Sequence, residues 1–280
     1  MVTTYPLTPL EWPGEGVIVV YDVDRVRLAT FSCEFLRKGR VDSWAYVLEA
    51  CKAVVNESGT LHRCVDGSIA APAPIAYVPE SIDLEGQVSP MHVVYVQTAN
   101  STAPTSWAIG PRFKYKSRGP PDASGSDGTI SHSSRSTAQQ SKFRGELWKR
   151  DGTCIVTDED EAGAAHIIPQ SRPEYYEEIF GYDPVYYFDA SYGLLLLRKL
   201  HLRWDAGDWA LYLDPSDPAD LLVHIFEGSA LKRYHGKVIP ASRFRCHPRK
   251  APDRQLLEFH YRQCVVKHMR GFDVFPEWQP

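Results

Sequence analysis

The six cysteines of this chain, Cys33, Cys51, Cys64, Cys154, Cys246 and Cys264, include no C-x-x-C pair. That excludes a zinc-ribbon spacing and a dense disulfide framework, and it points to a reducing compartment. Long apolar runs are also missing. No stretch approaches the roughly 18 consecutive apolar residues that cross a bilayer, so no membrane partner is expected. The opening residues MVTTYPLTPLEWPGEG lack the basic start and apolar run of a secretory leader. The expected location is therefore intracellular, nucleus or cytoplasm, and no lysine-rich stretch chooses between the two. A basic excess is absent as well: 31 basic and 35 acidic residues give a formal net charge of −4 over 280 residues. On average, nothing draws the chain to a polyanion.

The average conceals a pattern. Residues 1–111 carry 7 basic and 12 acidic side chains, 112–150 carry 9 and 3, 151–230 carry 4 and 16, and 231–280 carry 11 and 4. An acidic block thus lies between two basic ones. Charge alone is equally consistent with a solvated surface, because net charge governs association and not fold.

The composition, 43% hydrophobic, is globular, and the pattern predicts an α+β fold. Strands are predicted at Val17 to Tyr21, Val26 to Phe31 and Met91 to Gln97. A helix capped at Asp42 or Ser43 is predicted to carry Trp44, Val47, Leu48, Cys51, Val54 and Val55 at helical spacing. Asp66-Gly67 reads as a hairpin turn. These elements make residues 1–111 a small α+β domain whose role the sequence does not reveal. Residues 112–140, basic and rich in Ser, Gly and Pro, read as a flexible linker that buries too little surface to offset its ordering entropy. A core is expected over 141–230, and a basic extension with a helix over 231–280.

The chemistry concentrates after the linker. A short helix capped by Ser141 is predicted to end in Arg150-Asp151-Gly152. An apolar strand Cys154-Ile155-Val156-Thr157 follows, then an acidic turn and a strand Ala164-Ala165-His166-Ile167-Ile168-Pro169. Ser171 to Phe180 reads as a helix with Pro173 in its first turn and Gly181 at its end. Beyond Tyr192-Gly193-Leu194-Leu195-Leu196, a last helix over residues 198–206 carries His201 and Asp205 one turn apart on one face, stopped by Gly207. Imidazole and carboxylate at that spacing suit a divalent cation, although such a pair is more often a simple side-chain contact. Cys154 reads as a buried thiol, and Trp204 and Trp209 as packing groups.

The ordered set RDG-x-C-x-V-T, A-A-H-I-I-P, GLLL and L-H-x-x-x-D, from Phe143 to Gly207, resembles the HNH endonuclease family. The whole layout, to Arg262-Gln263-Cys264, is similar to fungal HNH proteins with an additional amino-terminal region. The resemblance implies a ββα-metal core of two strands and a helix around one divalent ion, Mg²⁺ or Mn²⁺ first and Zn²⁺ as a further candidate, with no organic cofactor. It implies nucleic acid, DNA foremost, as partner and substrate, His166 as general base, and His201 and Asp205 as metal ligands. Arg150, Arg198, Lys199, Arg243 and Arg245 are candidate nucleic-acid contacts. Two positions depart from the family. Ala165 stands where other members place a ligand, as in the A-A-H-I branch. Tyr192 replaces the Asn that gives the family its middle letter and ties the loop so that the base faces the metal. The competing expectation is accordingly a degenerate, non-catalytic HNH domain that binds nucleic acid or another partner.

Overall fold

A computed structural model of the chain describes residues 16–24, 26–55, 57–65, 68–74, 91–97, 134–169, 172–182, 186–213, 219–245 and 247–270, with Trp12, Ile82, Pro184 and Asp217. In chain order the elements are β1 (Val17–Tyr21), β2 (Arg27–Ser32), α1 (Cys33–Lys38), α2 (Trp44–Val55), β3 (Gly59–Val65), β4 (Ser68–Pro74), β5 (Met91–Gln97), α3 (Ser134–Asp151), β6 (Ala162–His166), α4 (Pro173–Phe180), β7 (Gly193–Leu197), α5 (Arg198–Asp205), β8 (Trp209–Leu213), β9 (Leu221–Ile225), β10 (Val238–Ile239) and α6 (Arg254–His268). This is an α+β fold, as the sequence predicts. Among the described residues, no helix is long and apolar enough to cross a membrane.

The chain divides into two compact units. The first comprises Met1–Gly110, Leu222–Lys237 and Tyr261–Pro280. Its five-stranded sheet runs β2-β1-β5-β3-β4. β1 pairs antiparallel with β2 and parallel with β5, and the buried centre of β1, Ile18 to Val20, explains its β-branched composition. Helix α2 packs on β2 and β3. Nine of its twelve side chains are buried, so a one-sided apolar pattern is not expected of it. Ser43 caps it by accepting from the Tyr46 N–H at 3.2 Å. Asp66-Gly67 lies outside the described residues, between strands that pair antiparallel with Val65 opposite Ser68.

Residues 222–237 and 261–280 group with this unit instead of forming one extension with 238–260. The cause is burial: Leu222, Val223, Ile225, Cys264 and Val265 are all interior. Polar links reinforce it. The Trp12 indole donates to the Ile225 carbonyl at 2.9 Å, Tyr46 and Tyr261 share a 2.7 Å hydroxyl contact, and His224 bridges the Tyr261 hydroxyl and the Gly39 carbonyl.

The second unit comprises Pro111–Leu221 and Val238–His260. Its centre is the antiparallel β6–β7 pair, with Ala162 opposite Leu197 and His166 opposite Gly193. Leu194 to Leu197 are all buried, and α5 begins at the next residue. Gly207, at φ 71°, stops the chain after α5, and Gly181, at φ 74°, ends α4, both in the left-handed region that glycine tolerates.

The strand predicted over Ala164 to Pro169 is β6, which begins at Ala162 and stops at His166, and two further predicted elements differ. Residues 155–157 form a turn and not a strand. Cys154 donates to the Glu159 carbonyl and accepts from the Asp158 N–H, so the segment closes on itself, and the Ile155 N–H donates to the Leu195 carbonyl of β7. The apolar run Cys154 to Val156 is a buried tether, a pattern that periodicity over so few residues cannot tell from a strand. Helix α3 begins at Ser134, not at a Ser141 cap. Ala138, Gln139 and Gln140 are good helix formers, and extending a nucleated helix is far easier than starting one. The rest of the predicted linker, residues 112–133, lies outside the described residues.

Candidate active site

His166 ends β6, and three neighbours fix its ring. Phe143, buried on α3, stacks on it with centroids 4.4 Å apart and planes 20° apart, and Phe188 meets it edge-on at 5.7 Å. The ring hydrogen-bonds to the backbone of Tyr187, while Nε2 is buried without a partner, so Nδ1 is the nitrogen that donates to Tyr187. The neutral ring therefore presents the Nε2 lone pair. Burial pushes the His166 pKa down to about 4; the Tyr187 carbonyl opposes that shift, and nearby His201 adds to it. Gly193, across the ladder, makes room for this stack. A Cβ there would lie 2.3 Å from Phe143 Cζ and 2.8 Å from the Ala165 carbonyl.

Helix α5 supplies the other two candidates. Leu200 and Trp204 face the core, and the Trp204 indole donates to the Ile167 carbonyl at 3.1 Å, pinning the helix beside the residue that follows His166. His260 stacks on Trp204 at 3.7 Å, and the Trp209 indole donates to the Leu200 carbonyl, so both tryptophans are packing groups. The adjoining flank presents His201 and Asp205, with Nε2 and Oδ2 3.4 Å apart and each side chain 33% exposed. Burial raises the Asp205 pKa, and His201 pulls it back only in part. An imidazole and a half-buried carboxylate at this distance are a donor set that a divalent cation fits. The ligand atoms of His166, His201 and Asp205 do not all fall within 4.8 Å of one another.

Tyr192 sits in a single turn at Ala190–Tyr192 capped by the Asp189 carboxylate. Its ring packs against Phe180 and Tyr176, and its carbonyl accepts from the Ile167 N–H at 2.8 Å. Burial pushes the phenol pKa up, as do Tyr182, Asp253 and Asp189, so the hydroxyl stays protonated.

What ties this loop down is Arg150, and that corrects an expectation. Arg150 is 2% exposed and is no surface for phosphate. Its guanidinium pairs with Asp151 through Nε–Oδ1 at 2.5 Å and Nη2–Oδ2 at 2.8 Å. It also donates to the carbonyls of Ala190 (2.6 Å), Gly193 (2.7 Å) and Lys250 (3.0 Å). Asp151 in turn accepts from the Leu195 N–H at 3.0 Å. The pair fastens the end of α3 to both sides of Tyr192-Gly193. Arg243 is a second correction: its guanidinium donates to the Asp151 carbonyl, the Thr153 hydroxyl and the Cys154 carbonyl, holding the 151–154 turn. Arg198, Lys199 and Arg245 are exposed. Cys154 is buried, and its sulfur accepts from the Leu197 N–H at 3.4 Å.

Beside His201 lies an open cavity of about 410 Å³. Arg144 and Trp148 of α3, the segment Asp160 to Gly163, Leu196, Arg198 and His201 line it. The sequence gives no signal for it, because its walls come from three separated stretches.

A strand pair thus leads into a helix, with an imidazole at the strand end and a His–carboxylate pair on the helix. Residues 154–212 match the HNH endonuclease family, so the chain carries an HNH-family domain there, which suggests a nuclease-type function. No curated protein and no solved structure matches the chain.

Proposed function

We propose that the protein is a metal-dependent endonuclease that hydrolyses phosphodiester bonds in DNA. The observation that carries this reading is the His166 ring: half-buried, clamped by Phe143 and Phe188, with a buried, unpartnered Nε2 near His201. An orphaned buried acceptor costs stability, and a base that must receive a proton from substrate water accounts for it. His201 and Asp205 would hold one divalent ion, which supplies positive charge to the phosphate and to the departing 3′-oxygen. His166 Nε2 takes a proton from the attacking water, whose oxygen bonds to phosphorus as the P–O3′ bond breaks. The imidazolium that forms keeps its Nδ1–H on the Tyr187 carbonyl. The 3′-oxygen takes a proton from solvent, leaving a 5′-phosphate and a 3′-hydroxyl. Arg198, Lys199 and Arg245 are the candidates for sequence-independent phosphate contacts.

A second reading, a decayed domain that binds without cutting, draws on two observations. Tyr192 offers a packed ring where the family has an amide, and a base with a pKa near 4 is weak for work at pH 7. Arg150 and Tyr187 support the catalytic reading, because they fasten the loop and the imidazole without the Asn. Plasmid nicking in Mg²⁺ or Mn²⁺ separates the two. The wild type is expected to nick, with loss of activity in chelator and in His201→Ala. Nicking by Tyr192→Asn alone, with an inert wild type, would establish the decayed domain.

A further inference from the structure

Building on the nuclease reading, we propose that the cavity beside His201 receives one unstacked nucleotide of the strand being cut, and that the preferred substrate is therefore single-stranded or locally unpaired. The walls supply what such a nucleotide needs. Trp148, half-buried, offers an aromatic face, and Arg144, one turn away on the same face of α3, offers a cation. Arg198 opens α5 and sits one turn before His201, so a phosphate held there lies beside the residue assigned to the metal. Asp160 and Glu161, both exposed, repel phosphate but accept hydrogen bonds from the amino groups of a base. The sugar-phosphate is thus drawn to the arginines and the base edge to the carboxylates.

Size and shape agree. About 410 Å³ falls in the range of small-molecule sites. Gly163 leaves the wall bare, since a Cβ there would meet only the Leu196 carbonyl, at 4.0 Å. A base stacked inside a duplex presents no free face to Trp148, and extruding it costs unstacking and unpairing energy, whereas a single strand offers its bases already open. The Trp148, Arg144 and Arg198 set therefore discriminates by strandedness.

The test is fluorescence anisotropy with the full chain carrying His166→Ala to suppress cleavage. It compares a labelled single-stranded DNA oligonucleotide, the same sequence as a duplex, and its RNA counterpart. Single strands are expected to bind more tightly than the duplex. Trp148→Ala is expected to weaken single-strand binding about tenfold or more, the usual effect of losing one stacking partner. Gly163→Val, which fills the cavity from a strand position that accepts a side chain, is expected to do the same, with its thermal unfolding unchanged. Arg144→Ala, on an exposed helix face, provides a variant that does not disturb the core. Single-strand and duplex affinities that are equal, or unchanged in Gly163→Val and Arg144→Ala, would overturn the proposal even if the wild type nicks plasmid. Cavity-dependent binding by a protein that never nicks would instead sink the nuclease reading and leave the nucleotide site standing.

Discussion

Replacing Arg150 with Met removes five hydrogen bonds and strands a buried carboxylate. In the wild type the guanidinium bonds both oxygens of Asp151, itself 1% exposed, and the carbonyls of Ala190, Gly193 and Lys250. Leaving one partner of a buried ion pair uncompensated costs about 3–5 kcal/mol, and each orphaned carbonyl adds about 1 kcal/mol or more, without strict additivity. Against a typical domain stability of about 5–15 kcal/mol, that is a large share. Arg150→Met is therefore expected to shift the urea midpoint far downward, followed by tryptophan fluorescence, because Trp148 and Trp204 sit in this unit. Arg150→Met with Asp151→Leu removes both charges and is expected to recover part of the loss. A surface role for Arg150 makes the opposite forecast: unchanged stability and weaker nucleic-acid binding. Arg150→Met within about 0.5 kcal/mol of wild type would refute the buttress.

Other outcomes follow from the same geometry. Gly193→Ala places a methyl where Phe143 stands and is expected to cost about 1–3 kcal/mol by overpacking, with nicking impaired more than stability; a variant that nicks at the wild-type rate would contradict the stacked arrangement. Acid is expected to weaken the first unit. Burial pushes the His235 pKa down to about 4 and that of His224 well below its usual value. The unfolded chain, titrating near 6.5, binds these protons first, so stability is full above about pH 6.5 and is lost as pH falls toward 4. His235 alone accounts for about 2 kcal/mol at pH 5, and equal urea midpoints at pH 7.5 and pH 5 would exclude this linkage. Arg198→Ala and Lys199→Ala are each expected to reduce the salt dependence of DNA binding by about one counterion, whereas Arg243→Ala is expected to lower thermal stability instead.

Much of the site was legible because its signals are local. The i, i+4 placement of His201 and Asp205, the glycine after α5 and a strand through His166 each follow from a few neighbouring residues, although β6 stops at His166 and not at Pro169. The errors arose where long-range packing decides. Arg150 and Arg243 belong to basic runs, and only burial shows that their guanidinium groups hold turns. Cys154 to Val156 has the composition of a strand, but the chain folds back through the Cys154–Asp158 and Cys154–Glu159 bonds. Leu222 to Ile225 and Tyr261 to Val266 group with a core some 200 residues earlier in sequence, which no periodicity reveals. The stacking of Phe143 on His166, made possible by Gly193, is a three-way contact among α3, β6 and β7 that no local pattern reveals.

The central claim is that His166 is the base. Supercoiled plasmid, Mg²⁺ and matched amounts of wild type and His166→Ala test it most directly, with unfolding curves confirming that both are folded. Loss of a positioned base lowers a rate by about 10² to 10⁴, so the variant is expected to leave the plasmid supercoiled over times in which the wild type nicks it fully. Equal nicking by the two proteins would contradict the account.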